Sequence, residues 1–458
     1  MDDRFVHSLS QIAPVHLDAQ TIEDYSHDWT ENLRFAPSVV VKPRSIEEVA
    51  EVVKLCNDFR VPVTPVGART GLSGGMLPVY GGVALGMEKM NRILELDERN
   101  LQITVEAGVI TEEIQKAAES VGLMYPPDPS SKGSCTIGGN LAECAGGAHA
   151  VKYGVTRDYV LGLKAVTGTG NIIRTGAKVL KNSTGYSLTH LLVGSEGTLA
   201  VIAEATLKLI PKPKHDAVML VAFADPEQAC ECVSAIFHAK IVPAALEFIE
   251  RDALEFGQNY LGIHDYELDG VGAHLLVEID GNDPAVVMNE CEAVAAVVER
   301  HCAKEILFAD EREKKLRLWR LRRCLGEAVK SNSIYKEEDT VVPRAELAKL
   351  LRFVKQTGRE YGFQSVCYGH AGDGNLHVNI LKNDIGDEEW ETKIPEAVRK
   401  IFEYVCSLGG TISGEHGIGW VQRRYMDVAF SPHELELMRG LKAVFDPNGV
   451  LNPGKIFY

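Results

Sequence analysis

No Cys-x-x-Cys pair occurs anywhere in the 458 residues. Ten cysteines are scattered at 56, 135, 144, 230, 232, 291, 302, 324, 367 and 406, which gives neither a zinc-ribbon spacing nor a cluster-ligating one. A disulfide framework is not expected in a chain this long that shows no secretory leader, so most thiols read as small core residues. The N-terminal MDDRFVHSLSQIAP has no basic segment leading into an apolar one. The longest plainly apolar run, residues 217–224, is far too short to span a bilayer. Basic residues are in deficit, 48 against 64 acidic, and the net charge of -16 argues against nucleic acid and anionic lipid as partners. A cytoplasmic protein of two or three domains is the resulting expectation, long enough to bury a core without covalent staples.

What is present is an alternation of helical and strand patterns. Ser45-Ile46-Glu47-Glu48 reads as a capping box before a helix with Val49, Val53 and Cys56 on one face. Residues 61–66 are strand-like and run into a glycine cluster; 82–87 and 101–106 are further strand candidates. Thr111 is placed as the cap of a helix over 112–120. Pro211-Lys212-Pro213-Lys214 reads as a linker. Beyond it the pattern restarts, with strands at 217–224, 274–279 and 365–368 and helices at 225–239, 284–303 and 344–361. An α+β layer with helices on one side of a sheet follows.

Four glycine-rich stretches stand out: Gly67-Ala68-Arg69-Thr70-Gly71-Leu72-Ser73-Gly74-Gly75, Ser134-Cys135-Thr136-Ile137-Gly138-Gly139-Asn140, Ala145-Gly146-Gly147-Ala148 and Val193-Gly194-Ser195-Glu196-Gly197-Thr198-Leu199. Glycine lets backbone N–H groups approach an anion and adopt positive φ, so such loops suit a pyrophosphate; singly, each could be a structural turn. A Rossmann fingerprint fails, because Gly168-Thr169-Gly170 has Ile173 at the third position, and no Walker sequence occurs. A nucleotide would be wrapped by several loops.

A second constellation is histidine-rich. Gly369-His370-Ala371-Gly372-Asp373-Gly374-Asn375-Leu376-His377-Val378-Asn379 reads as strand, tight turn and strand, which lets His370 and His377 face one another. Two neutral imidazoles suit a divalent metal, and Ser413-Gly414-Glu415-His416-Gly417-Ile418-Gly419 supplies a carboxylate and a further imidazole. Hydrogen-bonded core histidines are the bland alternative; four such groups flanked by glycine favour a metal or catalysis.

The loops PVGARTGLSGG, KGSCTIGGNLA and VGSEGTL resemble the FAD-binding loops of the vanillyl-alcohol oxidase/p-cresol methylhydroxylase class. YGHAGDGNLHVN, SGEHGIG and FDPNGVLNPGKIF narrow the resemblance to the FAD-linked D-2-hydroxyacid dehydrogenases: glycolate oxidase flavin subunit, D-lactate dehydrogenase and D-2-hydroxyglutarate dehydrogenase. It implies a two-lobed α+β fold: a PCMH-type FAD domain over 1–215, a cap domain with an antiparallel sheet and the metal site over 216–410, and a segment, 411–458, returning to the FAD domain. It implies FAD contacts from Pro65, Gly67, Ala68, Arg69, Thr70, Gly71, Leu72 and Ser73; from Pro127, Asp128, Ser134, Ile137, Gly138 and Asn140; from Gly147 and Gly154; from Glu196, Gly197 and Ile202; and from Asn452. His370, His377 and Glu415 match the family's metal ligands, His416 its base, and Arg322 and Asn379 its substrate-side polar groups. Lys336 is a candidate substrate lysine, with a spacing to Pro343 one residue off. Zinc is favoured, with iron and manganese as alternatives.

The chemistry so implied is oxidation of an α-hydroxy acid, its hydride passing to FAD and its hydroxyl proton to His416, helped by a metal acting as Lewis acid. His149 raises the question of a covalent flavin, but this branch implies noncovalent FAD. Gly326 falls where the hydroxyglutarate branch would use a hydroxyl on the distal carboxylate, which favours D-lactate or glycolate; an NADPH-fed flavin reductase and a non-catalytic flavin subunit are the rivals from other classes. With no second redox centre in the sequence, electrons are expected to leave through a separate protein, an electron-transfer flavoprotein or an iron–sulfur subunit, which could hold the chain peripherally at a membrane.

Overall fold

The computed structural model describes residues 2–30 and 32–457; Met1, Glu31 and Tyr458, and with them the outermost limits of the expected domains, lie outside these. The chain divides into two compact units. One comprises the chain up to Gly146, Gly154–Lys212 and everything from Glu415; the other comprises Gly147–Tyr153 and Pro213–Gly414. The divisions fall at Lys212 and Glu415 rather than at 215 and 411, and hydrogen bonds show why. The Lys212 amide donates to Gly122 O in the first unit, whereas the Lys214 amide donates to Gly281 O in the second. The seven-residue excursion belongs to the second unit because Lys152 and Tyr153 both bond the Asp280 carboxylate there.

The first unit contains two sheets. In one, Val39–Val41, Val83–Gly86 and Val63–Val66 run parallel, with Val15–His16 antiparallel at the edge. The strands are valine-rich, as parallel strands buried on both faces must be, and the Ile46–Phe59 helix packs Val49, Val52, Val53 and Cys56 on them. The other sheet is antiparallel, in the order Ile93–Asp97, Gln102–Glu106, Ala200–Lys208, Val160–Thr167, Ile172–Gly176. The C-terminal tail enters the first core: Leu451 is fully buried and pairs with Val63 in a parallel bridge.

Two caps differ from the sequence pattern. Ser45 Oγ does accept the Glu48 amide, but Glu48 reaches back to the Arg44 amide instead of closing the box. Thr111 is the first helical residue, not the cap of Thr111–Glu119; its hydroxyl instead accepts from Asn140 Nδ2 at 2.7 Å.

The second unit is built on seven antiparallel strands: β1 (His215–Phe223), β2 (Ala245–Glu250), β3 (Ala273–Gly281), β4 (Ala303–Ala309), β5 (Tyr335–Val341), β6 (Gln364–Gly369) and β7 (Asn375–Leu381), in the order β4-β1-β3-β2-β6-β7-β5. The helix expected over 284–303 ends at Arg300, because Ala303 opens β4. Register aligns one row of residues across the sheet: Ala222, His274, Ile249, Tyr368, His377 and Asp339. Side chains alternate with period two, so Glu247, Asn379 and Glu337 share that row's face. The opposite face carries Pro226–His238, Pro284–Arg300, Leu347–Tyr361 and Asp387–Ser407; Lys355 of the third reaches Glu250 and Ser365 there. Helices Arg251–Leu261, Arg312–Arg323 and Leu325–Asn332 cover part of the first face, over Ile249, Tyr335, Val366, Tyr368 and Leu381.

Candidate active site

In the first unit, three of the glycine-rich stretches meet at one groove. Its lining includes Pro65, Gly67, Thr136, Gly138, Gly139, Glu196 and Gly197, together with the apolar Val66, Ala200, Val201 and Ile202. Glycine is needed where the loops close on each other: a Cβ at Gly67 would stand 2.7 Å from Thr136 Oγ1, and one at Gly138 2.8 Å from the Ala107 methyl. A lining that combines apolar side chains with glycine backbone suits a flat ring with an anionic tail. Pro65, Gly67, Gly138, Glu196, Gly197 and Ile202, all expected to contact FAD, line this groove.

Other expected contacts are not among the lining residues. Arg69 takes φ 64° and stacks on Tyr25 at 5.0 Å, between Ala68 and Thr70, and Gly71 O accepts the Trp29 amide. After Leu72, Ser73 O holds the Trp420 and Val421 amides. Pro127 O accepts from Gln115 and Asp128 is buried; Ser134 Oγ donates to Ser131 O. The Ile137 side chain belongs to the core and that of Asn140 to Thr111. Gly154 turns at φ 87° beside Asp158, and Gly147 belongs to the second unit. Asn452 ties two loops together, donating to Gly75 O and Glu196 O.

The groove has a feature that the motifs did not disclose. Glu143 lines it, and burial pushes its carboxyl well up, reinforced by Glu196 and Asp28 and opposed by Lys455. Glu196 is raised by burial too, against the Ile418 and Gly419 amides that donate to it at 2.7 Å each. Those two bonds join the VGSEGTL loop to the SGEHGIG loop that carries Glu415 and His416. Lys455, buried, is pushed down to about 7 by burial against the pull of Glu196, Asp28 and Glu143.

In the second unit, the His370 and His377 rings lie 5.5 Å apart at 82°. His370 Nδ1 faces both oxygens of Glu247 at 2.9 Å, which places the ring proton on Nδ1 and makes Nε2 the nitrogen that can ligate. His377 Nδ1 lies 3.6 Å from Glu337 and 3.7 Å from Asp339. Asp339 also accepts Ser413 Oγ at 2.9 Å and the Gly414 amide at 2.7 Å, so the residue covalently preceding Glu415 is pinned to the strand opposite His377. Imidazole nitrogens with carboxylates behind them fit a divalent ion of the zinc, iron(II) or manganese type.

Arg322, 4% exposed, pairs with Glu247 Oε2 at 2.5 Å and lies over the Tyr368 ring at 5.3 Å. Its Nε is buried without a hydrogen-bond partner. Asn379 donates to Val366 O, while its Oδ1 is buried without one. A Cβ on Gly326 would point at Tyr368 Oη from 3.5 Å. Lys336 is a correction. It pairs with Ile380 and stacks on Trp390, on the helix-covered face, so alternation turns it away from His370 and His377. Glu247 is the residue the sequence reading missed; the only signal was a glutamate in phase with Ala245 and Ile249 in a strand-like A-L-E-F-I-E. It is fully buried, and although burial opposes it, His370 and Arg322 hold its pKa below the usual carboxylate range.

Residues 212–456 match the family of FAD linked oxidases, C-terminal domain, and residues 37–176 match the FAD binding domain family. The chain belongs to the FAD-linked oxidases. This FAD-linked oxidase is 41% identical to a D-lactate dehydrogenase of Anaerostipes hadrus, over 99% of this chain and 97% of that one. It is 41% identical to the glycolate oxidase subunit GlcD of Bacillus subtilis (94% and 92% covered) and 37% to a D-2-hydroxyglutarate dehydrogenase of Stutzerimonas stutzeri (98% and 97%). Its fold is that of p-cresol methylhydroxylase, with a TM-score of 0.81 at 17% identity, covering 99% of this chain and 96% of that one. The chain is a flavoprotein oxidoreductase, of the α+β PCMH-type architecture that the sequence implied.

Proposed function

We propose that this flavoprotein oxidises a small D-2-hydroxy acid, D-lactate or glycolate, to the 2-oxo acid, using noncovalent FAD and one divalent ion. The observation that carries the reading is the single sheet face on which two oriented imidazoles, a buried guanidinium and a buried amide oxygen lie together. Relatives named for D-lactate, glycolate and D-2-hydroxyglutarate oxidation support the hydroxy-acid class. The absence of a side chain at Gly326 favours the small acids within it.

FAD, when bound in the glycine-walled groove, supplies the hydride acceptor, and the metal, when bound, supplies Lewis acidity toward the substrate hydroxyl. His370 and His377 hold the ion, with Glu415 as third ligand beside the pinned Gly414. His416 accepts the hydroxyl proton. Arg322 binds the substrate carboxylate through the donors that Glu247 leaves, Nε among them, and Asn379 Oδ1 accepts from the substrate; together they fix which face of the α-carbon reacts. His149 lies against Trp319, ring centroids 5.6 Å apart and tilted by 35°, and 3.5 Å from Glu278, partners that favour noncovalent FAD. Electrons leave to a separate acceptor protein, an electron-transfer flavoprotein or iron–sulfur subunit. Among the described residues no helix is long and apolar enough to cross a membrane.

The test is anaerobic reduction of the flavin by D-lactate, glycolate, D-2-hydroxyglutarate and D-malate with a dye acceptor. Fastest turnover with D-lactate or glycolate, abolished by chelation while FAD absorbance persists, is the expected outcome. Full activity in metal-free protein removes the metal, and reduction by NADPH alone replaces the reading.

A further inference from the structure

The sequence gives Glu247 no role, yet it sits at the centre of the second unit's polar face. β2 lies between β3 and β6 in the interior of the sheet; Glu247 stands opposite Leu276 of β3, and the next two residues, Phe248 and Ile249, pair with β6. Its side chain, with no exposed surface, meets two partners: His370 Nδ1 at 2.9 Å from each oxygen, and Arg322 at 2.5 Å from Oε2. We propose that Glu247 is a positioning residue that locks the metal-binding imidazole and the carboxylate-binding guanidinium at one fixed separation, making the site selective for 2-hydroxy over 3-hydroxy acids. The inference rests on the function proposed above.

A carboxylate behind a ligand histidine fixes its tautomer and ring plane and strengthens its donor nitrogen. The same carboxylate pairs with Arg322 Nη2 and so fixes the guanidinium plane; Nε, on the same edge as Nη2, is buried without a hydrogen-bond partner. The Tyr368 ring under the guanidinium restricts it further. In a 2-hydroxy acid the hydroxyl and carboxyl groups are on adjoining carbons; a 3-hydroxy acid places them one carbon further apart. Two anchors tied to one rigid carboxylate cannot adjust to both. The alternative is an ion pair that only stabilises the fold.

The experiment uses full-length, FAD-loaded protein and the variants Glu247→Gln and Glu247→Asp. Zinc affinity is read by competition with a chromophoric chelator, and KM and kcat are measured for D-lactate and D-3-hydroxybutyrate. Glu247→Gln is expected to weaken zinc about 10- to 100-fold, to raise KM for D-lactate more than it lowers kcat, and to narrow the preference for D-lactate over D-3-hydroxybutyrate. Glu247→Asp keeps the charge but falls short of spanning both partners, so it is expected to lie between Gln and wild type. Zinc affinity and substrate ratio within about twofold of wild type, whatever the thermal stability, overturn the inference. Should Glu247→Gln lose FAD, the Asp comparison decides alone by the same criterion. Wild-type protein that binds no zinc and oxidises no hydroxy acid instead defeats the proposed function, and this inference falls with it.

Discussion

His274 makes acid a selective stress on the second unit. Its side chain is 3% exposed on β3, its Nδ1 has no hydrogen-bond partner, and burial pushes its pKa down from 6.5 to about 4. It lines a cavity of about 380 Å³ with His264, Asp265, Glu267 and Glu305, whose carboxylates would act in the opposite direction but do not prevail. Between these two values the unfolded chain holds more protons than the folded one, so stability falls as pH drops from about 6.5 toward 4 and is unaffected above that window. The full shift is worth roughly 3.4 kcal/mol at 1.36 kcal/mol per pKa unit, of which about 1.8 kcal/mol is lost between pH 7 and pH 5. His274→Phe removes the titrating group while keeping an aromatic ring. Urea unfolding followed by tryptophan fluorescence at both pH values should show wild type losing about 1.8 kcal/mol more than the variant. Equal losses, or an NMR titration of His274 with a midpoint above 6, would refute the reasoning.

Gly417→Ala should destabilise the first unit by at least about 2 kcal/mol and release FAD on gel filtration: the residue has φ 78°, and its Cβ would stand 2.0 Å from Glu143 Oε2. Leu451→Ala should cost about 2–5 kcal/mol in urea unfolding, since the side chain is fully buried in the core around Val63. Gly326→Thr should fit beside Tyr368 without loss of stability and raise kcat/KM for D-2-hydroxyglutarate relative to D-lactate by about tenfold, the worth of one good polar contact. An unchanged ratio would mean that position 326 does not face the distal end of the substrate.

Local chemistry was legible in the sequence and long-range register was not. The glycine loops announced the groove because close backbone approach has few other solutions. The paired histidines announced themselves because a short turn leaves two strands nowhere to go but beside each other. Lys336 shows the limit. One residue of phase decides which face a strand side chain takes, and that phase is fixed by pairing of β5 with β7, which no pattern in Tyr335–Val341 encodes. Glu247 was invisible for a related reason: its partners lie 123 and 75 residues further on, and only the strand order β2-β6-β7 and the covering helix bring them together. Thr111 was misplaced because a hydroxyl at a helix start looks like a cap until a competing donor, Asn140, is seen.

The tail that pairs Leu451 with Val63 also sets a timetable for synthesis. Asn448 bonds Asn57 across 391 residues, and Lys455 reaches Leu77 O across 378. The first unit thus cannot complete its valine core until residues 448–455 have left the ribosome, whereas the second has all its strands as soon as Leu381 has emerged. Domain order in synthesis is therefore inverted with respect to the sequence: the inserted unit can mature while its host waits with apolar strands uncovered. A chain stalled before residue 448 would carry a finished second unit and an unfinished first one, the form most exposed to aggregation and proteolysis.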